Sequence, residues 1–289
     1  MRINYVIATY CGQSDKKVQT PKKEALKIHL KNIANTKCMH ISQVTIMKAL
    51  DEKCDPNSDY YEVDDYIKQI EDKHKIPVKI VECENYCYSF GQWFLCYEQT
   101  KSDFDYYIFQ EDDYFPCIDN YDDIYLTAYK EAFPNNVGVM CGLLAGQGGL
   151  FKHRLIQHTS APLCMSKQTL NKVYSNPLWK GSPRNAMHDI FQYQEQFSNI
   201  ENYSFKRFKK HISGLYQLSF AFLFNRSDIQ SCDILSKHAD NIFLYWEDNP
   251  GLVYLFSSTI TMQKIKTIKE YEAVKHKAYF LPTQWEKLE

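Results

Sequence analysis

Tyr106-Tyr107-Ile108-Phe109-Gln110-Glu111-Asp112-Asp113-Tyr114 joins an apolar run of strand length, Tyr107 to Phe109, to three consecutive carboxylates. Tyr114, Phe115 and Pro116 follow and are expected to turn the backbone away. The pattern predicts a buried strand that delivers negative charge to its end. Adjacent acids repel one another and are poor strand formers, so folding alone gives no reason to place them where an apolar strand leaves the core. A cation supplies one. Hard divalent ions such as magnesium, manganese or calcium prefer carboxylate oxygens, and a pyrophosphate is commonly held through such an ion. In open α/β sheets, ligands sit beyond the carboxyl ends of the strands, where the triplet falls if its strand is parallel. The plainer alternative is a solvated loop end, as for the acidic pairs Asp64-Asp65 and Asp122-Asp123 elsewhere in the chain.

Upstream of the triplet, strand and helix patterns alternate. Ile3 to Tyr10 is an apolar, β-prone run, and Cys11 to Asp15 after it reads as a loop. Thr20-Pro21 offers an N-cap with proline at the first helical position, and Ala25, Leu26, His29, Leu30 and Ile33 trace a helical stripe. Val44 to Met47 predicts a second strand, and Asp51 to Asp59 a polar loop. Val63, Ile67 and Ile70 mark an amphipathic helix ending near Lys75, and Val78 to Val81 a third strand. Glu84 to Gln92 reads as a polar turn feeding a helix from Trp93 to Gln99, with Ser89 or Asn85 able to cap it. Four strands alternating with helices predict a largely parallel sheet with right-handed crossovers and a ligand crevice at the strand ends.

The 34 basic and 35 acidic residues of the 289-residue chain leave a net charge of −1, so no global basic field marks a nucleic-acid binder. The 22 tyrosines are more than a core needs. Rings with a polar tip suit grooves that stack on bases or sugar faces, although an AT-rich genome explains them as well. Ten cysteines at irregular spacings, most inside apolar runs such as Val139-Met140-Cys141, fit free, buried thiols in a reducing compartment. Cys83 and Cys87 lack the spacing of a zinc or redox pair. Val137 to Ala145 and Leu218 to Phe224 are too short to span a bilayer, and no signal-like segment opens the chain. The expectation is a cytoplasmic soluble protein without a transmembrane segment.

The second half opens with a helical pattern from Tyr121 to Phe133 and an apolar strand from Val137 to Leu144. Gly146-Gln147-Gly148-Gly149 follows without the Lys-Ser/Thr of a phosphate-binding loop. It reads either as a loop approaching a ligand closely or as a plain flexible turn. Ala161 to Ser166, then Leu170 and Val173, predicts a strand capped into a helix, and Asn185 to Phe191 begins a helix with Asp189 in its early turns. Lys206, Arg207, Lys209, Lys210 and His211 either neutralise a diphosphate or, as is commoner for such runs, form a solvated face.

The strand ending in Ala8-Thr9-Tyr10, the segment Asn85 through Gly91 opening a helix, and the strand ending in Glu111-Asp112-Asp113 together resemble a GT-A glycosyltransferase of family-2-like type. The triplet stands where that family carries its D-x-D motif, with Glu in place of the first Asp. The resemblance covers the first 120 residues or so and the rest loosely. It implies an α/β, Rossmann-like GT-A fold in one domain over 1–289, with a mostly parallel central sheet flanked by helices. A nucleotide-sugar-binding half would span 1–116 and an acceptor-binding half 117–289.

The same resemblance implies roles. Ala8, Thr9, Tyr10, Asn85, Gly91 and Glu111 line the donor, the loop after strand one clasps the base, and Asp112 faces the ribose or metal. Asp113 ligates the Mn2+ or Mg2+ that bridges the diphosphate. His238 is taken as a further ligand ahead of His211 and His188, although a histidine in such a place is more often a plain surface imidazole. Gly148 and Gly149 approach the donor sugar or the acceptor. Asp189 is the general base toward the acceptor hydroxyl, since a carboxylate can accept the acceptor's proton as the C1–O bond forms. The plainer reading of Asp189 is an acid that favours the helix dipole. The implied partners are a nucleoside diphosphate sugar and a glycan, glycolipid or glycoprotein acceptor. Two rivals remain: a sugar-1-phosphate nucleotidyltransferase, and a non-catalytic glycan-binding protein of the same fold. The first normally needs a glycine-rich basic loop after strand one, where Cys11 to Lys17 has one glycine and two lysines.

Overall fold

Ile3–Thr9 (β1) is buried at all seven positions, as expected of a strand covered on both faces. Its alternate side chains enter two separate cores. Val6 and Ala8 join one cluster, and Ile3, Tyr5 and Ile7 join the other. The computed structural model describes residues 1–11, 25–54, 58–85, 88–112, 114–116, 119–145, 158–177, 223–224, 227–233, 243–245, 253–255 and 262–264.

Around β1 the chain builds α1 (Ala25–Asn35), β2 (Ile41–Leu50), α2 (Asp64–His74), β3 (Val78–Glu84), α3 (Tyr88–Thr100) and β4 (Tyr106–Glu111). It continues with β5 (Tyr114–Pro116), α4 (Tyr121–Ala132), β6 (Val139–Ala145), β7 (His158–Ser166), α5 (Lys167–Tyr174) and β8 (Ser231–Asp233). A 3-10 turn, Asp59–Tyr61, lies between β2 and α2, and three short strands complete the described elements: β9 (Phe243–Tyr245), β10 (Val253–Leu255) and β11 (Met262–Lys264). The fold is α/β, and its main sheet is mixed, with seven strands in the order β3-β2-β1-β4-β7-β6-β8. Strands β3, β2, β1 and β4 pair in parallel, β7 runs antiparallel to both β4 and β6, and β6 pairs in parallel with β8. Strands from both proposed halves of the chain therefore share one sheet, joined at Tyr106↔Ser166 through Phe109↔Leu163.

The helical stripes decide which core each helix seals. Leu26, Leu30 and Ile33 of α1, Ile70 of α2, and Tyr121, Tyr125 and Tyr129 of α4 fill one core. Phe90, Trp93, Phe94 and Tyr97 of α3, with Leu170 and Val173 of α5, fill the other. Helix α1 thus crosses from β1 to β2 on one face, and α3 crosses from β3 to β4 on the opposite face. The strand order reverses between β1 and β4, an arrangement compatible with a Rossmann-like fold. Open α/β sheets receive their ligands outside the carboxyl ends of the strands at such a reversal.

Several elements differ from their sequence reading. Strand β2 is ten residues long, and α3 begins at Tyr88, ahead of the Trp93 expected from the apolar run. Phe90, Gly91 and Gln92 are buried, so packing draws the polar-looking turn into the helix, and Ser89 falls inside the first turn. Tyr114–Pro116 does not simply turn away: it pairs antiparallel with β11, and Phe115 is buried. Proline is tolerated at the end of so short a ladder because little pairing depends on its missing N–H. The strand-to-helix junction at Ser166 is as expected, with its hydroxyl accepting from the Thr169 backbone N–H at 3.0 Å. Among the described residues no helix is long and apolar enough to cross a membrane.

Candidate functional site

The parallel register of β1 on β4 sets Ala8 opposite Glu111, so both strands deliver their last residues to one place. The backbone N–H of Asp112 donates to the Ala8 carbonyl at 3.0 Å, which carries the pairing one residue past β4. Thr9 is buried, and its N–H donates to the Gln92 side chain of α3 at 2.9 Å. Its hydroxyl lies 2.8 Å from Asp112 Oδ2 and 2.9 Å from the Tyr60 hydroxyl. Tyr60, from the 3-10 turn Asp59–Tyr61 after β2, donates a short hydrogen bond to the same carboxylate oxygen. Burial and then the neighbouring Asp112 charge push the Tyr60 phenol well above its ordinary pKa, so it remains a donor. The Tyr10 N–H approaches Asp112 Oδ2 at 3.4 Å.

The backbone of Asp112 is fixed from below. His29 of α1 is completely buried between the Asp112 carbonyl, 3.2 Å from Nδ1, and the Tyr5 hydroxyl, 2.8 Å from Nε2. A carbonyl can only accept, so Nδ1 carries the proton and Nε2 accepts from Tyr5. Burial drives the imidazole down to about 3, which keeps it neutral in this role. On the α3 side, the Trp93 indole N–H donates to the Gln110 carbonyl at 2.8 Å, and its ring stacks on Phe109. The Ser89 hydroxyl donates to Glu111 Oε1 at 2.6 Å.

A second polar knot lies beside the first, at the carboxyl end of β2. The Tyr10 hydroxyl meets both Asp51 oxygens, at 3.0 and 2.8 Å, and Asn85 Nδ2 donates to Asp51 Oδ2 at 2.9 Å. Burial alone raises the Asp51 pKa. Hydrogen bonds from Asn85, the Lys53 backbone and Tyr10 outweigh it and hold the carboxyl below its ordinary value.

Of the residues proposed from sequence, Ala8, Thr9, Tyr10, Glu111 and Asp112 thus converge directly, and Asn85 joins through Asp51. Gly91 is buried inside α3, and it is its neighbour Gln92 that reaches the end of β1. Asp113, Gly148, Gly149, Asp189 and His238 lie outside the described residues. The described part of the donor set, the Glu111 and Asp112 carboxylates, has the hard oxygen chemistry suited to Mg2+ or Mn2+. Among the described residues no cluster of three or more acidic, histidine or cysteine side chains is poised around a metal position, so Asp113 would have to complete one.

Sequence reading missed His29, Asp51, Tyr60 and Gln92. The signals were present for two of them. His29 is a polar residue within an otherwise apolar helical stripe, and Asp51 follows β2 as the acidic triplet follows β4. No local signal singled out Tyr60 among 22 tyrosines. Neither a protein-family model nor a curated protein matches the chain.

Proposed function

We propose that the chain is a glycosyltransferase of GT-A type, moving a sugar from a nucleoside diphosphate sugar to a hydroxyl on a glycan, glycolipid or glycoprotein. The observation that carries this reading is the convergence of Thr9, Tyr10 and the Glu111-Asp112 carboxylates at the reversal of strand order, where an α/β sheet receives a nucleotide. In this reading Tyr10 and Asn85 border the base, and Asp112 faces the ribose. Tyr60, Thr9 and His29 hold Asp112 in place. Asp113, with His238 as a further ligand, would hold a Mg2+ or Mn2+ ion, which offsets charge growing on the leaving diphosphate. Gly148 and Gly149 border the donor sugar, and Asp189 accepts the proton of the acceptor hydroxyl as it attacks the anomeric carbon.

A thermal-shift panel of nucleoside diphosphate sugars, each with and without manganese, tests the reading. A donor that binds only the native state raises the melting temperature by mass action. The expected result is a manganese-dependent rise for one base and sugar class, abolished by Asp113→Asn and retained in Asp189→Asn, whose transfer rate falls about a hundredfold or more. Stabilisation by a nucleoside triphosphate with a sugar 1-phosphate, with release of pyrophosphate, would replace this reading by a nucleotidyltransferase. No response to any nucleotide would remove enzyme readings of the crevice.

A further inference from the structure

Cys11 and Cys54 lie 43 positions apart in the chain, yet their sulfurs are 2.8 Å from one another. The separation in a disulfide is about 2.0 Å, so less than an ångström of side-chain movement would join them. Cys11 is the residue that leaves β1 beyond Tyr10, and Cys54 closes the turn after β2, its N–H donating to the Asp51 carbonyl at 3.1 Å. The fold fixes both neighbours. Tyr10 is bound to Asp51 through its hydroxyl, and the Cys11 N–H donates to the Tyr61 hydroxyl at 3.2 Å. Two chain segments are thus already tied by hydrogen bonds on either side of the sulfur pair. Cys54 is buried, whereas Cys11 is half-buried and is the thiol that a solvent-borne oxidant meets first.

We propose that Cys11 and Cys54 form a reversible dithiol–disulfide pair just past the carboxyl ends of β1 and β2. A glutathione disulfide is a sufficient oxidant. The Cys11 thiolate attacks one of its sulfurs and releases one glutathione thiol, and the resulting mixed disulfide is attacked by the Cys54 thiolate, which releases the second. Two electrons and two protons leave the protein, one S–S bond forms within it, and the oxidant becomes two thiols. The closed bond makes covalent the link that Tyr10 and Asp51 make by hydrogen bonding, and so locks the segment leaving β1 against the turn after β2.

Reactivity alone would not select this pair. Burial, and then the adjacent Cys54 sulfur, push the Cys11 thiol up to about 11, so the thiolate is scarce at neutral pH. What favours closure is proximity: once Cys11 is in mixed disulfide, its resolving thiol is already in place, whereas Cys96 and Cys164 are buried in the cores.

The test is incubation of the native full chain with oxidised glutathione, followed by alkylation and an unreduced peptide map by mass spectrometry. Loss of two thiols, a mass lower by about 2 Da, and a Cys11–Cys54 crosslinked peptide reversed by dithiothreitol are expected. Cys54→Ser should stop at a glutathione adduct on Cys11, and Cys11→Ser should leave Cys54 unmodified. The proposal is overturned if the parent accumulates the Cys11 adduct without closing, if the first crosslink joins another pair, or if Cys54→Ser still closes a disulfide from Cys11. The map of the parent protein decides the matter even if either variant folds poorly.

Discussion

Asp112 and Asp122 look alike in the sequence, each next to a second aspartate and near the start of a new element, yet the fold uses them in opposite ways. Asp122 lies in the first turn of α4, has no exposed surface, and accepts from the backbone N–H groups of Met39, His40 and Ile41 at 2.6 to 3.1 Å. It closes the amino end of β2, and its partner Asp123 meets His40 at 2.8 Å. Asp112 sits at the carboxyl end of β4, is half-buried, and is held by side chains, Thr9 and Tyr60, that converge from two other segments. A carboxylate surrounded by backbone donors is committed to joining elements. One braced by hydroxyl side chains at a strand end has its position fixed by contacts that join no two elements through their backbones. The difference separates an acid that builds the fold from one that the fold presents.

The comparison can be broken most directly at Asp122. Asp122→Ala leaves three backbone donors without their acceptor and is expected to cost about 3–5 kcal/mol by urea unfolding, with ligand affinity of the remaining folded protein unchanged. A cost under about 1 kcal/mol would mean that water replaces the carboxylate and that Asp122 is no fold-building acid. Asp112→Ala should cost less, about 2 kcal/mol, because Tyr60 and Thr9 can still bond to each other. It should instead abolish the nucleotide-dependent thermal shift. A variant that lost stability as Asp122→Ala does and bound as before would exchange the two roles.

The brace beneath Asp112 gives a pH signature. The folded pKa of His29 is lowered by burial to about 3, so its contribution to stability is complete above the ordinary imidazole value and is lost as pH falls below it. Between about pH 6 and pH 4 the parent should lose up to about 1.4 kcal/mol per pH unit from this group. His29→Gln should flatten that slope relative to the parent, and parallel slopes in the two proteins would show that His29 does not bind its proton as the buried site requires. The smallest effect is expected at Tyr60→Phe, about 1 kcal/mol for the lost hydroxyl, together with weaker nucleotide binding as Asp112 loosens. An unchanged affinity would show that the contacts of Asp112 other than Tyr60, among them Thr9, Tyr10 and His29, are enough to orient it.

How much of this was legible in the chain depended on whether the signal was local. The apolar run before three acids, the His29 to Ile33 stripe, and the Ser166 cap each announce an element because period, capping and burial act over a few residues. The same local rules placed Thr9, Tyr10, Glu111 and Asp112 at strand ends. They could not place those ends together, because that requires the β1–β4 register and the reversal of strand order, which are set by packing between segments about a hundred residues apart. Tyr60, Gln92 and the Cys11–Cys54 pair were invisible for the same reason, since each matters through a contact spanning 43 to 83 positions. Sequence by itself determined which stretches are buried and where negative charge leaves the core. Only the tertiary structure decided which acid is enclosed by backbone donors and which is held at a strand end by hydroxyl side chains, because that depends on what the other strands and helices bring against it.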